Sequence, residues 1–82
     1  MTRYYFDAID GVEAIDEDGE DLPDFEAAKK LAGQIAAEMT PERTTHIWAG
    51  GQFRVVIRTD DGVVGSIAVT AVGDGRATAG WQ

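Results

Sequence analysis

Only one stretch of this chain carries a helical period. DFEAAKKLAGQIAAEM, residues 24–39, places Phe25, Ala28, Leu31, Ala32, Ile35 and Met39 at i, i+3, i+4 and i+7 spacing. Asp24 stands where an N-cap belongs, Glu26 and Lys30 form an i,i+4 pair, and Pro41 is expected to end the helix. Gly33 costs roughly 1 kcal/mol against alanine in such a position, so it is expected to serve close packing. What flanks this helix has a period of two, punctuated by Asp-Gly turns. RYYFDAI (3–9) is rich in aromatic residues and sets Tyr4, Phe6 and Ala8 on one face, with Arg3, Tyr5, Asp7 and Ile9 on the other. Asp10-Gly11 is a hairpin signal, and a short strand from Val12 to Asp16 is expected after it. QFRVVIRT (52–59) alternates with Phe53, Val55 and Ile57 against Arg54, Val56 and Arg58. Asp60-Asp61-Gly62 turns it back into a last strand, Val63–Val72.

The resulting order is ββαββ: an α+β fold, an antiparallel sheet of about four strands with one helix packed on one face. Residues 1–72 make a single small domain, and the Gly/Ala-rich segment 73–82 is expected to be a mobile tail unless Trp81 docks. One helix covers only one face, so the other is expected to carry Tyr5, Val56 and Ile9. Self-association as a homodimer is one way to bury them.

Eighty-two residues form one domain with a thin core, and the absence of cysteine leaves neither disulfides nor thiolate metal sites to reinforce it. Lack of cysteine suits a reducing compartment. MTRYYFDAID has no apolar signal-peptide core, because Asp7 and Asp10 interrupt it, and no apolar run is long enough for a membrane span. The chain reads as cytoplasmic. Its net charge of −8 is unevenly spread. Residues 1–26 hold ten acids and one base, giving −9, and the other five acids and six bases give +1. Such a surface repels phosphates, which argues against direct nucleic-acid binding and leaves room for a basic protein partner.

The acidity peaks in IDEDGEDLPD (15–24), where six of ten residues are carboxylates. Aligned as a calcium loop with Gly19 at position 6, it offers Asp16 and Asp18 but puts Ala14 and Phe25 at two ligand positions. The calcium reading therefore fails. A solvated turn leading into an N-capped helix remains, as does an acidic patch of Asp16, Glu17, Asp18, Glu20 and Asp21 that a partner reads. His46 stands without a second histidine or a cysteine, so zinc is not expected. Ser66, the sole serine, lies in an alternating strand rather than on a nucleophile elbow. Gly50-Gly51 lacks the lysine of a phosphate loop and reads as a flexible turn within a loop spanning 42–51. Trp48 in that loop is either a lid on the core edge or a partner contact. Arg54 and Arg58 share a strand face and can pair with acids across the sheet. No catalytic residue, cofactor or metal site is expected.

MTRYYFDAIDG followed by IDEDGEDLPDFEAA resembles the start of a family of small bacterial proteins of unknown function. These open with Met-x-Arg-Tyr-Tyr/Phe-Phe, and an Asp-Glu-x-Gly-x-Glu/Asp-Leu-Pro-Asp stretch precedes an Ala-rich helix. The resemblance covers about residues 2–70, with Arg3 to Ala28 its specific part, and it departs at the Trp48 loop and the tail. It implies no activity or functional residue, and it makes the acidic stretch a signature of the fold. The expected function is a noncatalytic protein-interaction module. The alternative is an acidic inhibitor that imitates nucleic acid, which needs carboxylates spaced like phosphates.

Overall fold

The computed structural model describes residues 1–73, and the tail expected at 73–82, with Trp81, lies outside the described residues except for Gly73. The described chain is the expected α+β layer. Its strands are β1 (Thr2–Ile9), β2 (Glu13–Ala14), β3 (Glu20–Leu22), β4 (Phe53–Thr59) and β5 (Gly62–Val69), with helix α1 (Phe25–Met39) and a short helix α2 (Thr44–Trp48). The sheet runs β2-β1-β4-β5 with every pairing antiparallel, and β3 also pairs with β1. No described helix is long and apolar enough to cross a membrane.

Strand faces follow the alternation. Phe6 lies opposite Ile57 and Ala8 opposite Val55, so their side chains share the helix-covered face. Tyr4, Phe53, Val55 and Ile57 are buried there against Ala28, Ala32 and Ala36. Those three alanines, four residues apart, form the ridge of α1 that meets the sheet. Their small side chains leave room for Phe53 and Val55, the largest fully buried side chains. The sequence pattern therefore shifts in two respects: Ala36 joins the buried ridge, and Phe25 stays at 36% exposure at the helix start. Asp24 caps α1 by accepting from the Ala27 N–H at 3.0 Å. Glu26 pairs with Lys29, three residues on, rather than with Lys30. A side chain at Gly33 would meet nothing within 4 Å, so close packing does not explain this glycine.

Two elements differ from the expected order. The second strand is only Glu13–Ala14, and a third follows, where Thr2, Arg3 and Tyr4 pair with Leu22, Asp21 and Glu20. Pro41 does not lead into a loop. α1 ends with the Thr40 N–H on the Ala36 carbonyl, and Pro41 then opens a 3-10 turn, Thr40–Arg43, that runs into α2. Proline is tolerated at such a start because no hydrogen bond is asked of its nitrogen. Gly50-Gly51 is the stop of α2. Gly50 has φ +98°, its N–H donates to the Ile47 carbonyl, and the Gly51 N–H donates to that of His46, the 6→1 and 5→2 pattern of a Schellman end. α2 buries Ile47 in the core. Arg43 fastens it, donating to Asp10 at 2.8 Å and to the Met39 carbonyl at 3.0 Å, with its guanidinium 5.0 Å from the Phe53 ring centroid.

Candidate functional site

The acidic stretch is held by two arginines and by its own backbone. Arg58, on β4, reaches across β1 on the face away from α1. Its Nε donates to Asp7 Oδ2 at 2.7 Å and its Nη2 to Asp7 Oδ1 at 3.2 Å and to the Asp16 carbonyl at 2.8 Å. On the way the guanidinium passes over the Tyr5 ring, 4.7 Å from its centroid. Asp7 is 4% exposed, the buried charged residue among the described residues, and it also accepts from the Asp16 N–H at 2.9 Å. The sequence places Asp7 and Arg58 on one sheet face, and the register sets Tyr5 opposite Arg58 and Asp7 opposite Val56, so the ion pair is a diagonal one.

Asp16 is the hinge of the segment between β2 and β3. Its Oδ2 accepts from the Phe6 N–H at 3.1 Å, and its Oδ1 from the N–H groups of Asp18 and Gly19, each at 3.1 Å. It supplies the partner that Phe6, at the β1 edge between β2 and β3, would otherwise lack. Burial pushes its carboxyl pKa up. The N–H groups of Phe6, Gly19 and Asp18, followed by the charge of Arg58, outweigh this and hold it below the ordinary value of 3.8. Gly19 turns the chain with φ +73°, and a Cβ there would lie 2.9 Å from Arg3 Cγ and 3.0 Å from the Tyr4 carbonyl oxygen. Arg3 completes the clasp, donating to the Asp18 carbonyl and, at 3.0 Å, to Asp21.

The six residues singled out from the sequence therefore separate. Asp16 is structural, and Asp21 is paired with Arg3 at the exposed edge. Glu17, Asp18 and Glu20 extend into solvent, and among the described residues their carboxylates take no hydrogen bond or ion pair. They form a short outward corner beside β3. Trp48 lies apart from them at the other end of β1, where α2 packs near Asp10 and Gly11. It is 59% exposed, so it is not a lid closed over the core. With Thr44, Ile47, Val69, Ala71 and Val72 it walls an open groove of about 490 Å3. A solvated turn is thus too simple a description of the acidic stretch. The signal for its real role was the Asp-x-Asp-Gly spacing of an Asx turn.

β5 is the opposite edge of the sheet from the acidic corner. From Gly62 to Gly73 the chain has neither a charged residue nor a proline. Val63, Val64 and Ile67 are exposed on it at 68%, 46% and 39%. Sequence reading did not single out this strip, because an uncharged strand of small and apolar residues looks like any buried strand until its place at the edge is known.

No curated protein and no solved structure matches the chain. A family model does, over residues 3–81, which reaches past the Trp48 loop and through the tail where the resemblance was expected to lapse. The match runs over nearly the whole chain: the protein belongs to the family described as Domain of unknown function (DUF6894).

Proposed function

We propose that this domain is a noncatalytic protein-interaction module that docks a partner along the uncharged edge, from β5 into the groove beside Trp48. The observation that carries this reading is the unbroken uncharged strip from Gly62 to Gly73, at a sheet edge that pairs with no further strand among the described residues, in a chain that is 27% charged. Its exposed valines and isoleucine, with a half-exposed tryptophan at its end, are the residue types that make a binding surface. Glu17, Asp18 and Glu20 lie at a distance and act on approach, favouring a partner with basic residues over an acidic one. The nucleic-acid-mimic alternative has less behind it, since Asp16 and Asp21 are engaged within the fold and three outward carboxylates make a short array.

The test is capture of partners from the source cell with wild-type protein, with Trp48→Ala, with Val72→Asp, and with Glu17→Gln/Asp18→Asn/Glu20→Gln combined. Loss of the captured protein in the Trp48 and Val72 variants, with weakened but retained capture in the carboxylate variant, is the expected outcome. Retention with Trp48→Ala and Val72→Asp, together with loss in the carboxylate variant, would transfer the function to the acidic corner.

A further inference from the structure

We infer that β5 pairs with β5 of a second copy of this chain, strand against strand and antiparallel, joining the two sheets into one. The inference rests on the reading of the uncharged edge as a docking surface and assigns the β5 strand itself to a second copy, leaving the groove beside Trp48 to the other partner.

Three observations point to a second copy. First, the two sheet edges are treated differently. β2 and β3 are short and lie among carboxylates, which blunts that side of β1 against stray pairing. β5 is eight residues long and uncharged, with no proline or lysine to discourage another strand. Second, the charge distribution favours self-pairing at β5 over the β2 and β3 side. A chain of net charge −8 repels its own copy, but Glu13, Asp16, Glu17, Asp18, Glu20 and Asp21 lie on or between β2 and β3 at the other edge, while β5 carries no charged residue. Pairing through β5 sends the two acidic corners to the far ends of the joined sheet. Third, the edge has an apolar hollow beside it. Phe25, Ala32, Ile57, Gly65 and Ile67, with Lys29 and Ser66 at its rim, wall a depression of about 280 Å3 between the start of α1 and β5.

Register follows from these features. β5 carries a bulge against Ile57/Arg58, so its regular part is Gly65–Val69, paired with Ile57 through Phe53. Gly65, Ile67 and Val69 face α1, because they lie opposite Ile57, Val55 and Phe53. Centring the pair on Ile67 sets the two isoleucines opposite each other. It also sets Val69 of each copy opposite Gly65 of the other, where the Phe25 ring that lies over the glycine offers an apolar contact. The arrangement is two-fold and closes on itself.

The experiment is light scattering on the full chain over a wide concentration range at low and high salt, with hydrogen exchange on the same samples. The expected wild-type result is a mass near twice 8.8 kDa that persists at high salt, with the amides of Gly65–Val69 gaining protection as concentration rises. Ile67→Lys sets two ammonium groups against each other and should weaken the dimer at least about a hundredfold. Ser66→Lys, whose exposed side chain is on the other face, is the second variant should Ile67→Lys lose its helical circular dichroism. A wild-type mass of 8.8 kDa at every concentration overturns self-pairing, and the wider docking reading then stands only if Trp48→Ala and Val72→Asp still abolish partner capture. A dimer whose mass and β5 exchange are unchanged by either lysine is joined through another face and also overturns the inference.

Discussion

Replacing Asp7 by alanine should remove a large part of the stability of this domain, although Asp7 lies on the sheet face that no helix covers. Its side chain is 6% exposed and accepts from Arg58 Nε at 2.7 Å, Arg58 Nη2 at 3.2 Å and the Asp16 N–H at 2.9 Å. Breaking a buried ion pair by removing one partner costs about 3–5 kcal/mol. The Arg58 side chain is 29% exposed and keeps the Asp16 carbonyl and the Tyr5 ring, so water and these contacts relieve it. A cost somewhat below that range, about 2–3 kcal/mol, therefore applies. The Asp16 N–H loses its acceptor as well, adding about 1 kcal/mol. Together this is about 3–4 kcal/mol, set against the roughly 4–12 kcal/mol that a chain of this size has in total.

Urea unfolding followed by far-ultraviolet circular dichroism reads the change, with wild type and variant compared at equal slope. Asp7→Asn keeps one acceptor and loses the charge, so it should fall between them. Adding Arg58→Met to Asp7→Ala should recover part of the loss, because an unpaired cation over an aromatic ring is then replaced by an apolar chain of similar length. An Asp7→Ala variant within about 0.5 kcal/mol of wild type, the spread of ordinary surface changes, would refute the reasoning. It would mean that Arg58 turns to solvent without cost and that the acidic segment is not held through Asp7.

Acid should unfold the domain partly through Asp16. Its folded pKa lies below the ordinary value, so its contribution is present above about pH 4 and is lost as pH falls through the folded pKa; Asp16→Asn should be less stable at pH 7 and show a shallower acid limb in pH-dependent urea titrations. Gly19→Ala meets Arg3, the Tyr4 carbonyl and the Tyr5 ring in a backbone conformation that alanine disfavours, and should cost about 1–3 kcal/mol by the same unfolding assay. Gly33→Ala, with open space around the added methyl, should raise stability by about 0.5–1 kcal/mol, measured as an increase in Tm of several degrees. A methyl at Gly51 would meet only the outer ring atoms of His46, an exposed side chain that can turn away, so Gly51→Ala should change stability by less than about 1 kcal/mol in the same unfolding assay.

The parts of this fold that were legible in the sequence are those where one residue type has one physical use. Asp24 before an apolar helical period is an N-cap, and Asp61-Gly62 between two alternating runs is a hairpin turn, with Gly62 at φ +125°. Alternation set the faces of β1 and β4 correctly, and with them the chance of an Asp7–Arg58 pair. The parts that were not legible depend on distant partners. Glu20-Asp21-Leu22 has no strand propensity, and it is a strand because Arg3 pairs with Asp21 across the ladder. Thr44–Trp48 is a poor helix by composition, yet it forms between the turn that Pro41 opens and the Gly50-Gly51 stop, with Ile47 buried beneath it. Asp16 looked like one solvated carboxylate among six, and only its fit to the open edge of β1 makes it structural.

Acidity in this chain is therefore two kinds of chemistry at one address. Asp7, Asp16 and Asp21 answer Arg3, Arg58 and backbone N–H groups, and they hold a segment with almost no apolar side chains against the sheet. Among the described residues the carboxylates of Glu17, Asp18 and Glu20, interleaved with them, take no hydrogen bond or ion pair, and charges so placed disfavour a further strand at that edge. A thin core gains little from the first group beyond what a short apolar hairpin would supply, so the second effect is the one that distinguishes this arrangement from the simpler alternative. Guarding one edge with charge has a consequence for the other. If a strand is added as inferred, β5 is the edge open to it among the described residues, because β2, β3 and their carboxylates line the other side of β1.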